Sequence, residues 1–195
     1  MKIFRLAVTA ALLLFSAKSM AWFYLEPGVF YEGGNSTIEW PAPLSDSDGT
    51  TKGFGVDLKI GAHFAGDMLF VALDGSYSKP QFENSANHYK ADATSTTYGA
   101  IIGIQTPVLV RAWAGYVFGG TLDPDKDNGF DVKFEEAKGP KVGVGVKIAI
   151  VAINVEYMEL TYSKGTIDVA PGVTGNLDDY KNKVGMLNVS FPFMF

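Results

Sequence analysis

The chain of 195 residues has no cysteine and only two histidines. The lack of cysteine excludes a disulfide framework, a thiolate metal site and a lipid anchor on an N-terminal cysteine. After its first residues, the chain also has no apolar run that approaches the roughly 18 to 20 residues of a membrane-spanning helix. Two classes stay open: a soluble protein, and a β-barrel in which only alternate residues meet lipid.

The first residues have the composition of an export signal. A positively charged start and an apolar stretch too short to span a membrane are followed by small residues before Trp22. We therefore predict a signal peptide over residues 1–21 and one mature domain over residues 22–195. The signal peptide holds three basic residues and no acid, so its removal lowers the formal net charge from −5 to −8. An acidic mature chain argues against nucleic-acid binding.

Alternation with a period of two dominates the mature chain. Between Phe54 and Phe64 every second residue is apolar, and the residues between them are mostly glycine or charged. The same pattern predicts eight strands, over residues 23–31, 54–64, 69–77, 96–105, 108–118, 140–150, 153–161 and 185–195. A length of about ten residues suits a tilted strand that crosses a bilayer. Glycine recurs on the polar face, where a narrow barrel has little room for side chains.

The connections between these strands alternate in length. Short turns are predicted near 65–67, near 106–107 and between 150 and 152, and long loops over 33–51, 78–95, 119–139 and 162–183. Short periplasmic turns and long external loops are typical of bacterial outer-membrane barrels. The sequence thus predicts an all-β fold, an eight-stranded antiparallel up-and-down transmembrane β-barrel with both termini in the periplasm. A soluble β-sandwich also alternates, but it need not carry the aromatic belts found here at both ends of the apolar face.

The last strand carries a family resemblance. Alternate apolar residues lead to a terminal aromatic: Leu187, Val189, Phe191, Phe193 and Phe195. This ending resembles the assembly signal by which the barrel-insertion machinery recognises outer-membrane proteins. Together with the stretch Val110-Arg-Ala-Trp-Ala-Gly-Tyr116, it is similar to the OmpA/OmpX-like small eight-stranded barrels. Longer members of that family carry a peptidoglycan-binding domain after the barrel, and the resemblance here covers the barrel alone.

Eight ionisable residues, four acids and four bases, fall on the polar face of the predicted strands. They are Glu26, Asp57, Lys59, Asp74, Arg111, Lys141, Lys147 and Glu156. Because buried charges cost several kcal/mol each unless they are paired, we predict a salt-bridged plug in the lumen. The alternative is a gate that exchanges ion-pair partners and admits small solutes.

The expected pairing within this plug follows from strand adjacency. Lys59 is predicted between Glu26 and Asp74, and Glu156 beside Lys147. Arg111 presents a fork of donors, so we expect it to reach across the lumen toward Glu26 or Asp74. Lys141 is predicted nearer the outer mouth.

A metal site and a catalytic site both have weak candidates. Alternating acids at Asp123, Asp125 and Asp127 suggest a calcium loop, but Gly129 stands one residue later than the glycine of an EF-hand. We expect a solvated acidic loop there. Some small barrels are lipid-modifying enzymes that use a histidine and a serine near the outer surface. His63 is predicted at the periplasmic rim, and His88, which lies in a loop with Ser85 and Asp92, matches no hydrolase motif.

The sequence therefore favours an outer-membrane barrel with a structural or surface-interaction role, without a cofactor and without catalysis. A narrow channel or carrier for small solutes, including apolar ones, is the alternative, and a lipid-modifying enzyme comes third. The expected surroundings are outer-membrane lipid and lipopolysaccharide. Aromatic residues in the predicted loops are candidate contacts for lipopolysaccharide or an unknown surface ligand: Trp40, Phe82, Tyr89, Phe130 and Phe134.

Overall fold

A computed structural model of the chain describes residues 22–38, 47–65, 68–84, 90–126, 130–169, 174–177 and 180–195. They form ten β-strands: β1 Trp22–Ile38, β2 Ser47–Phe64, β3 Leu69–Asn84, β4 Lys90–Gln105, β5 Val110–Pro124, β6 Phe130–Ile148, β7 Val151–Val169, β8 Thr174–Leu177, β9 Tyr180–Ser190 and β10 Phe193–Met194. Within these described ranges, no helix is long and apolar enough to cross a membrane. The predicted signal peptide lies outside them.

The strands close into a barrel. β1 to β7 pair in sequence order, each antiparallel to the next. β9 pairs with β7 on one side and with β1 on the other, and β10 continues along β1. Counting β9 and β10 as one, eight strands form the ring, which confirms the predicted eight-stranded antiparallel barrel. β9 thus closes the described ring between β7 and β1, and the short β8 pairs with β7 alone, beyond the stretch that β9 covers.

The outer surface of the barrel is apolar around its middle. On β2, Phe54 is 73% exposed and Leu58 and Ile60 are also exposed, whereas Asp57 and Lys59, which alternate with them, are buried. The other strands of the ring repeat this arrangement. We call the outward-facing residues from Phe54 to Phe64, with the matching stretches of the other strands, the apolar band. An exposed apolar surface of this extent requires contact with lipid.

Three tight turns join the strands at the end of the barrel that holds the termini. Each contains a non-glycine residue with positive φ, at Ala65 (53°), Leu109 (72°) and Ala149 (56°). The third turn consists of Ala149 and Ile150 between the paired residues Ile148 and Val151. Positive φ at the first of two central residues corresponds to a type II′ hairpin.

These turns correct two strand boundaries. β5 begins at Val110 rather than at 108, because Leu109 lies in a turn whose backbone closes from Leu109 N to Thr106 O at 3.0 Å. Alternation within the predicted strand 108–118 places Leu109 on the same face as Arg111, toward the lumen, but the structure leaves Leu109 exposed. β6 ends at Ile148 rather than at 150.

Most of each segment predicted as a long loop is strand. At the end opposite the three turns, β1 and β2 stay paired from Gly33–Lys52 up to Ile38–Ser47, and β3, β4, β6, β7 and β9 continue in the same way. The strands of the ring from β1 to β7 are 15 to 19 residues long, well beyond the roughly 9–11 that a bilayer requires. We call this part of the barrel, beyond Lys52 on β2 and Lys79 on β3, the extension.

The extension reverses the alternation of the apolar band. Its apolar side chains point inward, and its outward positions are polar, for example Lys79 and Thr161. The inward residues of the extension and of the adjoining level form one buried cluster: Phe30, Phe82, Ala93, Val117, Leu122, Phe134, Ala137, Met158, Leu160, Tyr162, Tyr180, Val184 and Met186. This reversal explains the incorrect loop prediction, since a search for apolar residues on the lipid-facing positions stops where the polarity changes sides.

The barrel lumen as candidate functional site

The buried charges of the lumen come from inward positions on six strands. The strand register places Glu26 of β1 beside Lys59 of β2, and Lys59 beside Asp74 of β3. Arg111 on β5, Lys141 on β6 and Glu156 on β7 complete the set from the other side of the ring. All of these side chains are nearly inaccessible to solvent. The register explains their proximity, because residues paired across neighbouring strands lie at the same height.

Arg111 spans the lumen to Glu26. Its Nη1 lies 2.8 Å from Glu26 Oε2, and its Nη2 donates to the hydroxyl of Tyr24 at 2.7 Å. Of the two partners expected for Arg111, the structure places it on Glu26 rather than on Asp74. Ser190 Oγ also donates to Glu26, at 2.5 Å.

Lys59 contacts three carboxylates. Its Nζ lies 2.5 Å from Asp57 Oδ2, 3.0 Å from Glu156 Oε1 and 3.8 Å from Asp74 Oδ1. The expected position between Glu26 and Asp74 is therefore incomplete, because the Glu26 carboxylate turns to Arg111 while Asp57 and Glu156 hold the ammonium group. A buried ammonium group needs this compensation, since an unpaired one would be strongly destabilising.

Lys141 belongs to the same network. Its Nζ lies 2.5 Å from Asp74 Oδ2 and 2.6 Å from Glu156 Oε2. The prediction placed Lys141 apart, nearer the outer mouth. The correction is that its long side chain brings the ammonium group to the carboxylates of β3 and β7.

The predicted pair between Glu156 and Lys147 is wrong in this structure. Glu156 faces Gly143 on β6, whereas Lys147 faces Ala152, four residues nearer the turns. The Glu156 carboxylate lies against Lys59 and Lys141 instead. Lys147 is only half-buried, and it lies near the end of the lumen rather than within the network.

Amide and hydroxyl groups link the Arg111–Glu26 pair to the Asp57–Lys59 pair. The search for ionisable residues in the sequence missed these groups. Asn154 Nδ2 donates to Ser190 Oγ at 2.8 Å and to Asn188 Oδ1 at 3.1 Å. Asn188 Nδ2 then donates to Asp57 Oδ1 at 2.6 Å. The chain of contacts thus runs from Arg111 through Glu26 to Asp57 and on to Lys59. The sequence signal that could have identified Asn154, Asn188 and Ser190 is their position on the inward face of β7 and β9.

Glycine leaves space for this network. A Cβ atom at Gly28 would collide with Asp57 Oδ1 and come within 3.0 Å of Asn188 Nδ2. At Gly143 a Cβ atom would collide with the ring of Trp113. Bulky neighbours thus occupy the volume that these glycines leave empty, as the glycine-rich polar faces of the strands suggested.

We call the buried residues Glu26, Asp57, Lys59, Asp74, Arg111, Lys141 and Glu156 the charged tier. It contains four acids and three bases. Each base has a carboxylate oxygen within 2.8 Å, and Glu156 is shared by two of them. The described geometry fits a fixed plug, in which every cation is held by protein groups.

Aromatic residues fill the lumen on the side of the turns. Trp113 and Phe70 flank the guanidinium group of Arg111, with ring centroids 5.1 and 5.3 Å from its carbon. His63 packs edge-on against Tyr24, with centroids 4.7 Å apart, and stacks on Phe70 at 5.4 Å. We call Tyr24, His63, Phe70 and Trp113 the aromatic tier. Aromatic rings within about 6 Å of a cation attract it electrostatically.

The buried cluster of the extension, which we call the apolar tier, fills the other side. Phe134 and Tyr180 stack with centroids 4.2 Å apart, and Tyr162 packs 5.3 Å from Tyr180. Burial raises the pKa of both phenols, so they stay neutral. A cavity of about 10 Å³ lies between Leu122, Met158 and the polar side chains of Glu32 and Thr97, which is room for one water molecule at most.

The remaining candidate residues from the sequence analysis are partly buried in the apolar tier and partly outside the described residues. Phe82 and Phe134, expected as surface contacts, are buried in the apolar tier. Trp40, Tyr89, Ser85, His88 and Asp127 lie outside the described residues, as does the side chain of Phe130. Asp92 lies on β4, and the backbone N–H of Asp125 donates to its carbonyl oxygen at 2.6 Å. In the part of the chain that the structure describes, no group of three or more potential ligands is placed to hold a metal ion.

Solved structures share this architecture. The outer membrane protein OprG from Pseudomonas aeruginosa superimposes with a TM-score of 0.55 and 14% identity over 89% of this chain and 96% of that one. Ail, the attachment invasion locus protein of Yersinia pestis, was solved with the heparin analogue sucrose octasulfate and gives a TM-score of 0.50 and 14% identity over 88% of this chain and 99% of that one. At these identities the likeness shows the fold alone.

The comparison of sequences gives the family. No curated protein matches the chain. The model of the outer membrane protein β-barrel domain matches residues 7–195, nearly the whole sequence. A closed eight-stranded ring with lipid-facing apolar side chains agrees with that match and with a location in the bacterial outer membrane. The chain therefore belongs to the outer membrane protein β-barrel domain family.

Proposed function

We propose that this protein is a closed outer-membrane barrel with a structural or surface-interaction role, not a pore and not an enzyme. In this proposal both termini and the three tight turns face the periplasm, and the extension projects from the cell surface. Tight turns on the periplasmic side and longer excursions outside are the usual arrangement of such barrels.

The observation that carries the proposal is the continuous filling of the lumen. Along the barrel axis the aromatic tier, the charged tier and the apolar tier follow one another, and each consists of buried side chains. A hydrated ion would have to displace ring packing at one level, ion pairs at the next and an apolar core at the third. Charged or polar linings favour conduction only where water-filled space accompanies them.

The channel hypothesis and the enzyme hypothesis find less support. A narrow channel would need a continuous water-filled path, whereas beyond Glu32 the buried polar side chains Thr51 and Asn182 lie with Leu160 and Tyr162 around a cavity of only about 10 Å³. A lipid-modifying enzyme would need a nucleophile and a base at the outer surface, whereas His63 packs between aromatic rings at the end near the turns. The proposed structural or surface-interaction role requires no cofactor.

Planar-bilayer recordings test the proposal directly. The purified mature protein should insert without discrete current steps, because the buried side chains of the three tiers among the described residues would block an aqueous path through the lumen. Folding of the protein is checked independently by the difference in gel mobility between unheated and heated protein, which a closed barrel shows. Steps of uniform size whose frequency rises with the amount of inserted protein would overturn the closed-barrel proposal in favour of the channel.

A further inference from the structure

One buried carboxylate of the lumen stands apart from the charged tier. Glu32 of β1 lies inward where the apolar band meets the extension, and only 6% of its surface is exposed. Ser78 Oγ donates to its Oε1 at 2.6 Å, and no lysine or arginine of the described residues forms an ion pair with it. The three buried bases do not serve it, because each is already held by a carboxylate of the charged tier. Glu32 therefore lacks a cationic partner among the described residues.

A small cavity lies beside Glu32 and is lined mainly by side chains that carry oxygen. Its volume is about 10 Å³, which is room for one water molecule or for a dehydrated metal ion of no larger size. Besides Glu32, the polar residues of its wall are Thr51, Ser76, Ser95, Thr97, Tyr162 and Asn182. Hydroxyl oxygens have two lone pairs and keep acceptor capacity when they form a hydrogen bond. The cavity thus gathers several neutral oxygens around one carboxylate.

The amide group of Asn182 indicates that the cavity holds a ligand. This side chain is 4% exposed, and its Nδ2 donates to Thr51 Oγ1 at 3.5 Å. Its Oδ1 accepts no hydrogen bond from the described residues, and a buried acceptor without a partner is costly. A Cβ atom at Gly34 would lie 2.8 Å from this oxygen and 2.7 Å from Thr51 Oγ1, so glycine keeps the space beside both oxygens open. Asn182 Oδ1 and the Glu32 carboxylate are both acceptors, and one cation would satisfy both.

We infer that this cavity binds one monovalent metal ion of the size of sodium, held by the Glu32 carboxylate, Asn182 Oδ1 and hydroxyl groups of the wall. Oxygen ligands suit a hard cation of this kind. One carboxylate neutralises one positive charge, whereas a divalent ion would bring an excess charge into a buried site. The site is not a cluster of three acidic, histidine or cysteine ligands, which the described residues do not provide, because neutral oxygens supply most of its ligands.

The ion would connect strands from both sides of the ring. Glu32 lies on β1 and Asn182 on the neighbouring β9, whereas Thr97 lies on β4. Only the folded barrel holds these oxygens together, so binding should stabilise the folded state over the unfolded chain. The inference depends neither on the proposed orientation of the barrel nor on whether the lumen conducts.

Equilibrium unfolding of the full mature protein by urea in a zwitterionic detergent tests the site. Sodium chloride replaces tetramethylammonium chloride at constant total concentration, because tetramethylammonium is too large for the cavity. Above the dissociation constant, the unfolding constant should fall about twofold for each doubling of sodium, as one bound ion requires. Glu32→Gln keeps the shape of the side chain, removes its charge and should abolish this dependence. Glu159→Gln removes an exposed carboxylate from the outward face of the extension and, as the matched control, should keep it.

A second variant changes the preferred ion instead of removing the site. Asn182→Asp adds a carboxylate to the cavity wall, and calcium affinity rises with the number of charged ligands. Calcium chloride should therefore stabilise this variant but not the unmodified protein. Thr161→Asp, which adds a carboxylate on the outward face of β7, is the control and should gain no response to calcium. Heat-dependent gel mobility checks that each variant is folded.

Three results would overturn the inference. The first is an equal sodium dependence in the unmodified protein and in Glu32→Gln, which would make it a general effect of salt. The second is a stability that does not respond to sodium; if it falls as the pH rises in the unmodified protein but not in Glu32→Gln, Glu32 holds a proton and the cavity holds water. The third is no calcium response in Asn182→Asp, which would separate Asn182 from the site. A conducting barrel that keeps the sodium dependence would refute the closed-lumen proposal and leave this site intact.

Discussion

The apolar band and the extension are built from the same eight strands with opposite polarity. In the band, apolar residues such as Leu58 and Val144 face outward and the charged tier faces inward. In the extension, Phe82 and Phe134 face inward and lysine, threonine and glutamate face outward. The strands run from one region into the other, with an irregularity in the ladder where they meet: the β4–β5 register shifts between Tyr98 and Gly99, and Glu136 on β6 has a φ of 61°.

The difference shows what each solvent requires. Lipid cannot hydrogen-bond polar groups, so polarity in the band is confined to the lumen, where every charge must find a partner. In the proposed orientation water surrounds the extension, and its interior is mainly a hydrophobic core with a few buried polar side chains such as Thr51 and Asn182. The change of sides leaves buried side chains inside both regions among the described residues, although the outer surface changes character.

The largest loss of unfolding free energy is expected when a cation of the charged tier is removed and its carboxylate partner is left unpaired. Arg111→Gln leaves Glu26 without its cation, and removing one partner of a buried pair costs about 3–5 kcal/mol. Glu156→Gln removes a charge from the same tier, yet Lys59 keeps Asp57 and Lys141 keeps Asp74, each at 2.5 Å. The loss in unfolding free energy should therefore be much smaller. Urea titration of both variants in the same detergent compares them, and equal losses would contradict this description of the pairing.

The next effect concerns the core of the extension. Phe134 is fully buried, and Phe134→Ala should cost about 3–5 kcal/mol through lost contacts and a new cavity. Phe54→Ala, on the lipid-facing surface of the band, is the control and should have little effect in detergent. Hydrogen exchange should show the loss of protection for Phe134→Ala mainly in β6, β7 and β9 beyond the band. A loss spread evenly over the whole barrel would mean that the extension is not a separate core.

An arginine introduced on the outer surface should destabilise the barrel in the apolar band but not in the extension. Val144→Arg places a charge in the middle of the band and should cost about 2–4 kcal/mol in a bilayer. Thr161→Arg, outward on the extension, should change stability by less than about 0.5 kcal/mol. Folding titrations in phospholipid vesicles measure both. Similar costs at the two positions would place the membrane boundary elsewhere.

The smallest effect on stability is expected at the end of the last strand. Phe195 is exposed and packs 6.2 Å from Phe23, so Phe195→Ala should hardly change stability in detergent. If this residue is part of the assembly signal, the amount of folded protein in the outer membrane of cells should nevertheless fall. Phe54→Ala controls for loss of any exposed aromatic ring. Normal outer-membrane levels of Phe195→Ala would refute the predicted signal.

The sequence predicted the barrel well because its band obeys a single rule. From Phe54 to Phe64 the alternation is uninterrupted, and the eight such stretches account for the strand number and the inward set of charges. The turn at Ala149 and Ile150 was hard to place because neither residue is a usual turn residue, and its positive φ is imposed by the paired strands.

The pairing inside the lumen was less accessible to sequence reasoning. Strand adjacency puts Lys59 beside Glu26, but the reach and direction of the side chains decide that Glu26 binds Arg111 from across the ring. Lys141 joins the charged tier for the same reason. The amide groups of Asn154 and Asn188 carry no charge, so a search restricted to ionisable residues could not find the link they form.

Accessibility of single cysteines tests the central claim, that both interiors are filled, most directly, because the chain has no cysteine of its own. Ala72→Cys lies inward near the aromatic tier, Ala93→Cys lies inward in the apolar tier, and Ser163→Cys lies outward on the extension. A small water-soluble thiol reagent applied to the folded protein should modify the cysteine at 163 rapidly and those at 72 and 93 only after unfolding. Rapid modification at 72 or 93 in the folded barrel would show that water reaches the lumen and would contradict the account.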